Sequence, residues 1–257
     1  MMRTFSVAAG TLVAAMTLAV TDAQAASAVS TEIKAAVADP ARPQADKDRD
    51  ADRKPAESVA FAGVKPGQTV ADLIPGSGYF TRIFSAVVGP NGHVYAVPSP
   101  KRPDAPADRP DPAAAVQAIA SDPHYGNVKV VQEKVAELSL PTPADVIWTS
   151  QNYHDLHNIP DGDVVAIDKK VFEALKPGGV FIVLDHAAEK GSGFRDTSTL
   201  HRIDPEAVKK EVESAGFKFV GESDVLHNAN DPHTAKVFDP TIRGKTDQFI
   251  LKFRKPK

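Results

Sequence analysis

The sequence contains no cysteine. That excludes a disulfide framework, thiolate metal sites and a cysteine nucleophile. An excess of one charge is also missing: 30 Lys and Arg stand against 33 Asp and Glu, a formal net charge of -3. Such a balance offers no electrostatic footprint for nucleic acid. After residue 25 no apolar run reaches the ~20 residues a membrane span needs,. No repeat of solenoid period is visible. What is present is 257 residues, 42% of them hydrophobic. One α/β domain is expected, since such folds reach roughly 200–250 residues as a unit. A domain of that size has ample core without staples.

The first 25 residues read as a secretion signal. Arg3 supplies a positive charge beside the start, and 5–20 is uncharged and rich in Ala, Val and Leu. Ala23-Gln24-Ala25 places small residues at the two positions a signal peptidase reads,. Cleavage is expected before Ala26, giving a secreted or periplasmic chain. Residues 26–54 are expected to form a polar, solvated arm, because Asp46 to Lys54 alternates in charge without apolar periodicity. The folded domain is expected over 55–257.

Within that domain, apolar runs of strand length fall at 69–74, 93–97, 127–131, 144–149, 180–184, 217–226 and 248–253. Helical spacing falls at 79–88, 113–120, 163–175 and 204–215. Asp204 is a good cap for the last helix and Pro205 suits its first position. Strands alternating with helices imply a mainly parallel sheet covered on both faces. The last two strands have no helix between them, so an antiparallel strand is expected at the sheet edge. Ligands of such sheets bind beyond the carboxyl ends of the strands.

The first strand runs into Asp72-Leu-Ile-Pro-Gly-Ser-Gly-Tyr79, a glycine turn ahead of a helix. Glycine permits a tight turn and close approach of a ligand, and the helix start offers free N–H groups. This loop resembles the cofactor loop of the class I S-adenosylmethionine-dependent methyltransferases. Ala144-Asp-Val-Ile-Trp148 is similar to their fourth strand, and Phe172 to Val183 to the helix and strand that follow. Gln151-Asn-Tyr-His-Asp-Leu-His157 and Leu200-His-Arg-Ile-Asp-Pro205 resemble a bacterial group of exported methyltransferase-like proteins. The resemblance covers about residue 55 to the C-terminus and implies a Rossmann-like sheet with S-adenosyl-L-methionine as cofactor. It places Asp72, Pro75, Gly76, Ser77, Gly78 and Tyr79 at that cofactor.

Two positions depart from the family pattern. Ile74 stands where the loop's first glycine is usual, and Pro98 where an acidic residue holds the ribose hydroxyls. Loss of a charged hydrogen bond costs about 1.5–3 kcal/mol, so weakened cofactor affinity is expected.

Chemistry is expected in the loops after the fourth and fifth strands, where His154, His157, His186, His201 and His227 gather with Asp155 and Asp185. His154 is the candidate general base, because its ordinary pKa lies near working pH. Asn152 and Asp185 are candidate catalytic partners. Tyr153, His157, His186, His201 and Arg202 are candidate substrate contacts, Arg202 for an anionic group. Asp145 and Trp148 are expected to be structural.

The sequence therefore points first to a methyltransferase acting on a small or medium acceptor. A second reading is an exported binding protein that kept the fold and lost the reaction. A third is a metal-dependent hydrolase on His154-x-x-His157, for which the surrounding motif is missing. No metal is expected.

Overall fold

The computed structural model describes residues 28–101, 106, 108 and 110–257. The expected secretion signal lies outside the described residues. The strands are β1 (Thr69–Leu73), β2 (His93–Val97), β3 (Val128–Val130), β4 (Ala144–Ser150), β5 (Leu175–His186), β6 (Lys218–Ser223) and β7 (Gln248–Arg254). They form one seven-stranded sheet in the order β3-β2-β1-β4-β5-β7-β6. The first five run parallel, and β7 is antiparallel to both β5 and β6. Parallel neighbours need a long crossover, whereas β6 and β7 lack a helix between them and pair antiparallel. The expected antiparallel strand is β7, inserted between β5 and the terminal β6. The order reverses between β1 and β4, which makes their carboxyl ends the switch point where such sheets bind ligands.

Side chains alternate across the sheet. Val70, Trp148 and Ile182 enter one core, while Leu73, Ile147 and Phe181 enter the other. The first core is closed by α1 (Thr31–Val37), α4 (Pro55–Ala62), α5 (Tyr79–Val88) and α6 (Ala114–Ser121). The second is closed by α7 (Tyr153–Leu156), α8 (Val164–Ala174) and α9 (Pro205–Ser214). Trp148 packs against Phe80 and Phe84, with ring centroids 4.7 and 5.5 Å away. Asp145 accepts from Thr69 N and Lys176 Nζ, both at 2.8 Å, so it is structural as expected. Asp204 caps α9 by accepting from Glu206 N at 3.0 Å.

Two segments differ from expectation. β5 begins at Leu175 rather than residue 180, because Lys176-Pro-Gly-Gly179 bulges within the strand. Ala144 pairs with Leu175, and the next pair is Val146 with Val180. The second difference is the arm. It folds as α1, α2 (Gln44–Lys47) and α3 (Asp50–Arg53), leading into α4. Only Ile33 and Ala36 of α1 are buried apolar residues, but they suffice to seat it on α5. The charges of the arm pair instead of repelling. Arg42 binds Asp50 through both terminal nitrogens at 2.7 and 2.8 Å, and Arg82 reaches Asp46 at 3.0 Å.

Candidate functional site

The glycine turn leaves β1 at the switch point. Ile74 lies in the left-handed region at φ 51°, followed there by Gly76 at 56° and Gly78 at 79°. A β-branched residue in that region carries strain of about 1–3 kcal/mol. Ile74 is held in place by its N–H, which donates to Val97 O at 2.8 Å. The loop thus keeps a glycine-like path although the glycine is absent. The two true glycines serve different needs. A Cβ on Gly78 would stand 2.2 Å from Ile119 Cδ1, whereas a Cβ on Gly76 would meet nothing within 4 Å. Gly78 is favoured by its left-handed backbone and by the Ile119 side chain, which a Cβ would displace, and Gly76 keeps the loop wall open.

Beside this wall is a cavity of 260 Å³ lined by Arg49, Arg53, Asp72, Gly76, Ser77 and Asn152, among others. A second cavity, of 590 Å³, shares Arg49, Arg53 and Gln151 with it and extends to His186, Phe238 and Arg243. A cavity of 800 Å³ lies at the opposite, amino end of the sheet beside Lys65 and Asp145 and carries none of these groups.

Asp72 is buried at the end of β1 and accepts from Thr81 Oγ1 at 2.6 Å. Burial pushes its carboxyl up to about 7, although the Thr81 hydroxyl and Arg53 oppose the change. Tyr79 also lines the cavity, and its hydroxyl donates to Asp50 Oδ1 at 2.6 Å. It anchors the arm, and the Arg53 guanidinium lies 4.3 Å from its ring centre. The Arg53 guanidinium donates to Ser150 Oγ at 2.9 Å, its one hydrogen bond among the described residues. Burial, and next the charge of Arg49, lower its pKa to about 10. Among the described residues no carboxylate bonds this guanidinium, an unusual arrangement for a buried charge. Arg49 and Arg53 were not legible as site residues, because the arm carries no apolar signal to show that it packs over the loop.

Asn152 joins β4 to the glycine loop. Its Nδ2 donates to Ile74 O at 3.1 Å and to Ser150 O at 3.0 Å, while Oδ1 accepts from Thr149 Oγ1. It therefore fixes the loop's position.

At the ends of β4 and β5, His154 and Asp185 form a buried pair. Asp185 accepts from the His154 backbone N–H at 2.7 Å and meets Nδ1 at 2.9 and 3.0 Å. Burial raises the Asp185 carboxyl, but the charge and hydrogen bonds of His154, with the charge of His186, together outweigh it and the net direction is down. For His154 burial acts downward, and Asp185 turns the net direction up. His186 bonds Thr246 Oγ1 through Nδ1 at 2.7 Å, and burial pushes its pKa down to about 4. The His154 ring lies 6.2 Å from His186 and 5.4 Å from His201.

The remaining candidates are engaged elsewhere. Tyr153 is fully buried, and its hydroxyl lies 2.8 Å from Asp168 and 3.0 Å from Glu211. One hydroxyl proton cannot serve two carboxylates. Burial raises the Asp168 carboxyl well above the usual range, although the Tyr153 hydroxyl opposes the change. His157 also meets Glu211, through Nε2 at 3.0 Å, and stacks on Phe194 at 4.1 Å. Arg202 has no exposed surface and pairs with Asp231 at 2.8 and 3.1 Å. Its other donors reach Ala187 O and Ala235 O at 2.9 and 3.0 Å. All three nitrogens of Arg202 are thus engaged within the fold, and the side chain has no exposed surface. His227 pairs with Asp247 at 2.9 Å.

Pro98 follows β2 directly and is buried. The strand end is therefore where the resemblance placed it, without an acidic side chain. No helix among the described residues is long and apolar enough to cross a membrane.

No protein-family model matches the chain. A ubiquinone/menaquinone biosynthesis C-methyltransferase of Vibrio parahaemolyticus is 30% identical over 178 residues, 66% of this chain and 62% of that protein. The chain thus spans less than two thirds of that relative's length. Among solved structures, a SAM-dependent methyltransferase from Aquifex aeolicus aligns with a TM-score of 0.51 at 19% identity, covering 76% of this chain and 86% of its own. The [4+2]-cyclase SpnF aligns at 0.57 and 17% identity, covering 82% and 81%. One fold thus carries more than one chemistry. With its strand order and its glycine turn after β1, the chain has the fold of the class I S-adenosylmethionine-dependent methyltransferases and is similar in sequence to one of them.

Proposed function

We propose that the protein is an S-adenosylmethionine-dependent methyltransferase acting on a small or medium acceptor. The observation that carries this reading is Arg53. A largely buried guanidinium, without a carboxylate bonded to it among the described residues, stands over a glycine turn that is open at Gly76. The residues fit a ligand with a carboxylate at one end and a part that needs close backbone approach at the other. Gly76, Ser77 and Gly78 would form the turn around the cofactor, and Arg53 would take its carboxylate in a bidentate fork. When bound, the cofactor supplies a methyl group already activated on a sulfonium. The chain's task is then alignment and exclusion of water.

Asn152 is a positioning residue, since it holds the glycine loop to β4. The 590 Å³ cavity is assigned to the acceptor, with Gln151, His186 and Gln248 as polar contacts. His154, oriented by Asp185, takes up a proton from an acceptor that carries one at the reacting atom. Pro98 offers no acceptor to the ribose, which favours modest affinity.

Titration calorimetry with S-adenosylmethionine and its demethylated product tests this. Both are expected to bind. Arg53→Ala should weaken binding by about 10–150-fold, the factor that 1.5–3 kcal/mol for a charged hydrogen bond represents. Pro98→Glu should tighten it. No heat and no thermal shift at millimolar ligand would favour a binding protein that kept only the fold.

We further propose export, on the strength of Arg3, the apolar run and Ala23-Gln24-Ala25. N-terminal sequencing of the protein recovered outside the cytosol should begin at Ala26. An intact start in the membrane fraction would mean an anchor instead.

A further inference from the structure

His154, Asp155 and His201 each offer one ligand atom, and these atoms lie within 4.8 Å of one another. His154 Nε2 is 3.4 Å from Asp155 Oδ1, and His201 Nδ1 is 3.6 Å from the same oxygen. Bonds of ~2.0–2.1 Å to a tetrahedral ion place neighbouring ligand atoms ~3.3 Å apart. The two measured separations are within a few tenths of an ångström of that edge. Two imidazoles and one carboxylate, with open positions, form a recognised set for first-row divalent ions.

The surroundings match as well. A metal-binding histidine commonly directs its other ring nitrogen at a carboxylate, which fixes the tautomer and raises ligand basicity. His154 does this with Asp185, which has no exposed surface. Nδ1 is thereby the protonated nitrogen, and the Nε2 lone pair faces Asp155. His201 comes from a different loop and is held in the left-handed region at φ 57°. Its ring packs on Phe238, 4.9 Å away. Phe238 and His186 both line the 590 Å³ cavity, so the cluster adjoins the space assigned to the acceptor. His157, the partner that its spacing from His154 suggests, is bound to Glu211 and takes no part.

We infer that His154, Asp155 and His201 form a binding site for one divalent first-row transition ion such as zinc. An ion and a proton compete for the same lone pair of His154. In the ion-bound protein an acceptor hydroxyl would lose its proton to solvent on coordination, and His154 would not act as base. The ion site itself does not depend on methyl transfer.

The test uses tag-free protein, stripped with a chelator and titrated with zinc or, for its visible absorption, cobalt(II). One equivalent is expected to bind, with a rise in melting temperature and a cobalt spectrum of nitrogen and oxygen ligation. Asp155 and His201 are partly exposed, so Asp155→Asn and His201→Ala should fold. Each should weaken zinc binding at least about tenfold, and Asp185→Asn by about 10–100-fold through His154. The inference is overturned if the stripped protein takes up no zinc at hundreds of micromolar. It is equally overturned if the double variant Asp155→Asn/His201→Ala binds zinc as the parent does. Cofactor titration of the stripped protein is a separate measurement, so failure of either reading leaves the other standing.

Discussion

Arg202→Ala is expected to destabilise the protein by about 3–5 kcal/mol, the cost of breaking a buried ion pair from one side. Arg202 and Asp231 are both without exposed side-chain surface and meet at 2.8 Å. Removing the guanidinium strands the Asp231 carboxylate. It also releases Ala187 O, at the end of β5, and Ala235 O, in the loop before β7. The melting temperature should fall by roughly 6–20 °C, at ~2–4 °C per kcal/mol for this size of domain. A double variant, Arg202→Met/Asp231→Leu, should recover part of the loss, because no bare charge is then left. Recovery stays partial, since Asp231 also accepts from Asp247 N at 2.7 Å and His233 N at 3.0 Å. Urea denaturation of the three proteins gives the values. A loss below about 1 kcal/mol in Arg202→Ala would mean that the pair does not hold this end of the sheet.

Arg202 also shows where sequence reasoning stops. A guanidinium after a strand end reads as an anion site, and nothing nearby in sequence indicates Asp231, which arrives from a later loop. The strands and main helices were legible because their signals are local. β2 falls on the expected 93–97 and α5 on the expected 79–88, each bounded by glycine or proline. The short α7 was not legible, since it starts three residues after β4 ends, without a capping side chain. Read as a loop, 151–157 offers Asn152, Tyr153, His154, Asp155 and His157 to the site. As a helical turn it divides them. Tyr153 and His157, four apart, share one face toward Glu211, and His154 points the other way to Asp185. The arm failed for another reason. Its burial rests on ion pairs such as Arg42 with Asp50, and alternating charges carry no periodicity to reveal them. The Ile74 position was visible as a departure. Its left-handed backbone, held from Val97, shows how the turn survives it.

Asp72→Asn is expected to stabilise the protein above neutral pH and to change little in acid. Burial raises the Asp72 carboxyl from 3.8 to about 7 in the folded chain. A group with a raised folded pKa binds its proton more tightly when folded. Its contribution is therefore fully present below about pH 4 and is lost as pH rises through about 7. The difference is about 3 units, and each unit represents about 1.4 kcal/mol. The parent should thus lose on the order of 2–4 kcal/mol across that window through this residue. Asparagine has no charge to bury, and its Oδ1 can still accept from the Thr81 hydroxyl that bonds Asp72 at 2.6 Å. The variant should exceed the parent by that amount at pH 8, and the gap should close toward pH 4. Other groups titrate in the same range, among them His154 and Asp185, but they are common to both proteins and cancel in the difference. Urea denaturation of both proteins at several pH values measures it. A gap that stays constant with pH would show that Asp72 keeps an ordinary carboxylate pKa. A variant less stable than the parent at pH 8 would show that the charged form is needed, with Arg53 as the charge facing it.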